Sequence, residues 1–183
     1  MKSNWKIRQA VKALKQGEVI AYPTEAVYGL GCDPWNEHAV QKLLTIKQRD
    51  WQKGLIIIAA DFNQLQDFIA TLPAKTLQLL EKSWPGPETW VLPVSTHVSD
   101  NVTGQHDTIA VRVTAHTQTV ELCRAFGGAI ISTSANITGL RAATTVKQVR
   151  WQLPEVTTVL SGSCVGSAQP TVIRNAQTGE KIR

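Results

Sequence analysis

This 183-residue chain is poor in sulfur and in aromatic side chains, with three cysteines, one methionine and 6% Phe, Trp and Tyr together. Cys32, Cys123 and Cys164 are odd in number and none are spaced like metal ligands, so neither a disulfide framework nor a metal site is expected. Reduced thiols fit a cytosolic protein, and a cytoplasmic location is the expectation. No apolar run approaches the roughly 20 residues of a membrane span. The N-terminal Met1-Lys-Ser-Asn-Trp-Lys-Ile-Arg lacks the apolar core of a signal peptide, so no membrane partner is expected. There is no Gly-x-x-x-x-Gly-Lys-Ser/Thr, which excludes an ordinary P-loop nucleotidase. Gly29-Leu-Gly31-Cys-Asp-Pro34 ends in proline and is not a dinucleotide fingerprint. His38, His97, His106 and His116 never fall in a His-Glu-x-x-His spacing, and no Gly-x-Ser-x-Gly marks a triad hydrolase.

What is present describes a globular chain. Apolar residues make up 43% and charged residues 18%, and the length fits one domain over 1–183. Nineteen basic against 14 acidic residues leave a net charge of +5. That excess favours anionic partners such as nucleotides or RNA, but it is too small to establish nucleic-acid binding.

Ile7, Ala10, Val11 and Leu14 recur at helical spacing, which predicts an amphipathic helix from Trp5 to Gln16 stopped by Gly17. Val19 to Tyr22 reads as a buried strand, followed by a Gly- and Thr-bearing loop from Pro23 to Pro34. A helix is predicted over Glu37 to Lys47 and a strand over Leu55 to Ala60. Asp61 reads as the N-cap of a helix carrying Leu65, Phe68 and Ile69, and a further helix spans Ala74 to Lys82. Trp84-Pro-Gly-Pro87 must turn. Strands are predicted over Thr89 to Val94, Thr108 to Val113, Ala129 to Thr133, Val156 to Leu160 and Thr171 to Arg174. Helices are predicted over Thr119 to Phe126 and Thr145 to Gln152. Strands alternate with helices early and cluster later, so the expected fold is α/β with a mixed sheet flanked by helices.

Three places carry chemistry. Lys47-Gln-Arg49 puts two cations at a helix end. They could be solvated charges complementing the helix dipole, or a clamp on a polyphosphate with Arg as the bidentate donor and Lys as a point charge. Ser132-Thr-Ser-Ala-Asn136 follows the apolar Ala129-Ile-Ile131. Extended geometry aims Ser132, Ser134 and Asn136 the same way, as either a self-bonded turn or a polar ligand wall. Arg112 shares a strand face with Thr108 and Ala110, and fits either a rim salt bridge or a two-point grip on a substrate carboxylate. Together these point to a phosphate-handling pocket at the ends of sheet strands.

Read in order, Ala21-Tyr-Pro-Thr-Glu-Ala-Val-Tyr-Gly-Leu-Gly-Cys-Asp33, Lys47-Gln-Arg49, Trp84-Pro-Gly-Pro87, Ala110-Val-Arg112, Ser132-Thr-Ser-Ala-Asn136 and Pro170-Thr-Val-Ile-Arg174 resemble the YrdC family of threonylcarbamoyl-AMP synthases, in its short single-domain form. The resemblance implies a twisted sheet with a concave, basic cavity. It implies a nucleotidyl transfer in which L-threonine, bicarbonate or CO2, and ATP give L-threonylcarbamoyl adenylate and pyrophosphate, for t6A modification of tRNA with other proteins of that pathway. It assigns Lys47 and Arg49 to catalysis on the ATP phosphates, with Mg2+ arriving on the nucleotide and no resident metal or organic cofactor. It assigns Thr108, Ser134, Asn136, Thr171 and Arg174 to the nucleotide, and Thr24, Arg112 and Ser132 to threonine. Three positions depart from the common pattern: Gly54-Leu55 stands for Pro-Leu, Ile58 for a threonine-contacting His of longer relatives, and Ser161-Gly-Ser163 for Asp-Gly-Gly. The alternative of another class is a double-stranded RNA-binding or ribosome-maturation factor without catalysis, motivated by the net charge and the basic first helix.

Overall fold

The computed structural model describes residues 5–164 and 171–182, so the first four residues and Pro170 of the late motif lie outside the described residues. Helix α1 (Trp5–Lys15) buries Ile7, Ala10, Ala13 and Leu14 and leaves Lys6, Arg8, Lys12 and Lys15 exposed, the division its periodicity requires. Strand β1 (Ile20–Pro23) pairs antiparallel with β2 (Tyr28–Gly31), Ala21 opposite Leu30. In sequence, β2 reads as loop because glycine disfavours strands. Here close approach requires glycine: a Cβ on Gly31 would lie 2.6 Å from the Ile131 carbonyl and 2.8 Å from the Tyr22 ring.

Helix α2 (Glu37–Lys47) begins where the Asn36 side chain accepts from Ala39 N, and ends at Gln48 in the left-handed region with φ 48°. Strand β3 (Ile56–Ala59) follows. Asp61 does cap the next element, but Phe62–Phe68 is a 3-10 helix, whose three residues per turn stack buried Leu65 over Phe68. Helix α3 (Ala74–Ser83), the Trp84–Pro85 cis turn and β4 (Thr89–Pro93) come next. A single helical turn, α4 (Asp100–Thr103), is capped by Ser99; it is too short to leave a periodic signal in sequence. Then come β5 (Thr108–Val113), α5 (Thr117–Phe126), β6 (Ile130–Ser134), α6 (Val146–Gln152) with a Thr145 capping box, β7 (Thr158–Val159) and β8 (Ile173–Asn175).

Among the described residues the strands form one mixed sheet in the order β7-β1-β2-β6-β3-β5-β4-β8. Pairs β1–β7, β3–β5 and β4–β8 are parallel and the others antiparallel. One face is packed into the larger core, with Ile57, Val111 and Ile131 fully buried. Each such side chain contributes roughly 1.5–3 kcal/mol. The opposite face is divided. Ile58, Ile130 and Tyr22 on it are covered by α1 and α5 through Ile7, Leu14 and Leu122. Two residues along the same strands, Ile56 and Ser132 line a cavity instead. The helices cover half of this face, and the uncovered half is the cavity floor.

Candidate functional site

The floor of the cavity is a cross-strand row. Asn175, Val91, Ala110, Ile56 and Ser132 are register partners across β8, β4, β5, β3 and β6, and all five line it. The cavity has a volume of about 730 Å³. That lies within the range of small-molecule sites, about 300–1,000 Å³. Its lining includes Arg49, Lys53, Arg112 and Arg141 and, among the described residues, no Asp or Glu. Alternation along β5 sends Thr108, Ala110 and Arg112 into the cavity while Ile109, Val111 and Val113 enter the core, as read from the sequence.

Arg112 is 4% exposed. Its Nη2 lies 3.5 Å from Glu25 Oε2, and its buried Nε has no hydrogen-bond partner. Such a group costs free energy unless something meets it, so the guanidinium is poised for an oxygen acceptor. Glu25 Oε1 accepts from the Thr114 hydroxyl and from Ala115 N at 3.1 Å. Burial pushes the Glu25 carboxyl up, but the Arg112 charge and the Thr114 and Ala115 donors outweigh it, and its pKa ends below the usual value. Thr24, in the turn after β1, lines the cavity and donates to Val27 O at 2.7 Å.

The two cations of Lys47-Gln-Arg49 are split. Gln48 takes the left-handed turn between them, so they leave the helix end in different directions. Arg49 lines the cavity, with Nε and Nη2 on Gly54 O at 3.3 and 2.8 Å. Gly54 has φ 61°, a conformation closed to the proline of the common pattern. Lys47, expected beside Arg49 as a direct clamp, is 2% exposed and is not among the lining residues. Its ammonium donates to Ser134 O, to Asn136 O at 2.9 Å and to Asn136 Oδ1 at 3.4 Å. Burial first, and the nearby Arg49 charge second, push its pKa down to about 8.

Ser132, Ser134 and Asn136 all line the cavity. The Asn136 amide is also structural, donating to Ile137 O at 2.8 Å and Leu140 O at 2.7 Å. Thr171, expected on the nucleotide side with Arg174, lines the cavity, and Arg174 does not. Strand alternation turns Ile173 and Asn175 inward and Arg174 outward, where its Nε meets Glu88 Oε1 at 3.2 Å. Ile58 is fully buried under α1 and α5, away from the cavity. The Ser161-Gly-Ser163 loop is fastened beside the site. Tyr28, a lining residue, donates its hydroxyl to Gly162 O at 2.6 Å and accepts from Gly162 N at 3.1 Å, and His116 Nε2 lies 3.0 Å from Ser163 O. The sequence assigns no role to Glu25, although it lies within the Ala21–Asp33 stretch, nor to Lys53, Arg141 and Asn175, which carry no motif of their own. Among the described residues no group of three or more His, Cys, Asp or Glu is placed to hold a metal, and no helix is long and apolar enough to cross a membrane.

The model of the Sua5/YciO/YrdC family, described as "Telomere recombination", matches residues 12–183. A threonylcarbamoyl-AMP synthase of Vibrio vulnificus strain YJ016 is 49% identical over 180 residues, 97% of each chain. One of Aliivibrio fischeri is 50% identical over 180 residues, again 97% of each. Among solved structures, P. abyssi Sua5 complexed with L-threonine superposes with TM-score 0.87 at 33% identity, covering 93% of this chain and 51% of that one. A family match over residues 12–183, nearly the whole length, shows that the chain belongs to the Sua5/YciO/YrdC family.

Proposed function

We propose that this chain is a threonylcarbamoyl-AMP synthase acting in the cytoplasm, supplying L-threonylcarbamoyl adenylate to other proteins that complete t6A in tRNA. One observation carries the reading: a single cavity joins Arg112 to Arg49 and the Ser132–Asn136 wall, with no carboxylate among the described residues that line it. Full-length relatives bearing that name support it, as does the threonine bound by P. abyssi Sua5.

The neutral threonine amine adds to CO2 with release of a proton to water, or to bicarbonate with loss of water, and gives a carbamate. A carbamate oxygen then forms a bond to the α-phosphorus of ATP while the bond from that phosphorus to the β-phosphate bridge breaks, and pyrophosphate leaves with the electron pair. The nucleophile is weak, so positioning and charge neutralisation carry most of the acceleration. Arg112 holds the threonine carboxylate, with Thr24 and Ser132 on either side. Arg49 meets the phosphates, and Thr108, Ser134, Asn136 and Thr171 face the nucleotide. Lys47 acts from beneath, fixing the Ser134 and Asn136 carbonyls and adding a positive charge behind the wall. ATP enters as its Mg2+ complex. Among the described residues the lining offers hydroxyls but no carboxylate, so the phosphates and water would hold the ion, which neutralises the leaving pyrophosphate.

Pyrophosphate release by the purified chain is expected only when ATP, threonine and bicarbonate are all present. Release that continues without threonine overturns the proposal. The exposed Lys6, Arg8, Lys12 and Lys15 of α1 favour RNA contact as a second reading. RNA affinity that falls steeply with salt, joined to no calorimetric binding of ATP or threonine, would favour that reading over catalysis.

A further inference from the structure

We infer that Glu25 is a positioning residue for the threonine subsite, holding the Arg112 guanidinium in the orientation from which it grips a carboxylate. The inference rests on the function proposed above. Glu25 is not among the residues that line the cavity. It lies in the turn beside Thr24, while Arg112, Thr114 and Ala115 belong to the end of β5 and the residues after it. Its carboxylate joins these two walls. Oε1 is anchored by the Thr114 hydroxyl and Ala115 N, and Oε2 stands 3.5 Å from Arg112 Nη2.

The spacing decides between two effects of this charge. A carboxylate that consumed the Arg112 donors would compete with an incoming one, and its removal would tighten threonine binding. Here the pair forms no hydrogen bond, and both Glu25 Oε2 and Arg112 Nε are buried without one. The guanidinium is held electrostatically on its Nη2 side, and none of its donors is spent in a hydrogen bond to Glu25. A flexible arginine stem restrained before binding loses less freedom when the ligand arrives. The depressed pKa of Glu25 keeps this restraint charged at neutral pH.

The test compares steady-state kinetics of the wild type, Glu25→Gln, Thr114→Val and Thr114→Ser. In Glu25→Gln the KM for threonine should rise about tenfold, while the KM for ATP and the kcat at saturating threonine stay within about twofold. Thr114→Val should move the threonine KM the same way by less, and Thr114→Ser should restore it. In an Arg112→Lys background Glu25→Gln should add nothing. A threonine KM that is unchanged or lower in Glu25→Gln overturns the inference, and so does a parallel rise for ATP. If Glu25→Gln shows no cooperative melt, the Thr114 pair decides. If the wild type shows no threonine-dependent turnover, the proposed function falls by itself. The Arg112 Nε–H resonance, assigned by its loss in Arg112→Lys, then decides the restraint: it should be sharp in the wild type and broadened in Glu25→Gln or Thr114→Val, and no change overturns it.

Discussion

Replacing Lys47 with methionine tests how this chain uses a buried cation. In the folded protein the ammonium titrates near 8 instead of 10.5. Below about pH 8 it is charged in both folded and unfolded states, and the full cost of burying the charge is present. Between the two pKa values the unfolded chain binds more protons, so stability rises with pH. Taking the unfolded lysine at its ordinary value, the wild type should gain about 2 kcal/mol relative to Lys47→Met between about pH 7 and pH 9.5. Cys32 and Cys123 work in the opposite direction above their ordinary value of 9.0, because burial pushes both thiols up. Both thiols are present in both proteins, so the difference between variants isolates Lys47. Urea unfolding of each protein across this range measures it, with the midpoints converted by a common slope. A difference that stays flat, or that shrinks the wild type's stability as pH rises, refutes the placement of a charged Lys47 under the Ser134–Asn136 wall.

Arg49→Ala should raise the KM for ATP by about tenfold or more, the worth of a charge-assisted hydrogen bond to phosphate; an unchanged ATP KM removes Arg49 from the phosphate site. Arg174→Ala should leave pyrophosphate release within about twofold, since Arg174 turns away from the cavity to a partly buried ion pair with Glu88; a large loss of turnover would place Arg174 at the nucleotide. Gly31→Ala should destabilise the fold by roughly 1–3 kcal/mol or more through overpacking against the Ile131 carbonyl and the Tyr22 ring. Thermal unfolding at the wild-type midpoint would contradict that contact.

Much of the architecture is legible in local pattern. The α1 and α2 helices carry periodic apolar faces with Gly17 and Asn36 at their boundaries, and β5 alternates strictly, so each appears close to where it was read. The elements that escape are those whose stability is not local. β2 holds two glycines and persists because it sits between β1 and β6. α4 is one turn long and caps itself with Ser99. At β8 the reading starts two residues early and places Arg174 with Thr171; a strand has a period of two, so residues three apart fall on opposite faces.

Residue order alone establishes the chemical inventory: which cations, hydroxyls and amides exist, and that Thr108, Ala110 and Arg112 lie on one side of a strand. Local sterics and side-chain alternation act within a few residues, so the order of residues is enough to decide them. Tertiary packing decides the rest. It separates Lys47 from Arg49 through the left-handed turn at Gln48, brings Glu25 to Arg112 from another loop, and leaves half a sheet face open because α1 and α5 cover only the part bearing Ile58 and Ile130. Those outcomes depend on how distant strands pair and on what packs over them, and no short stretch of sequence contains that information.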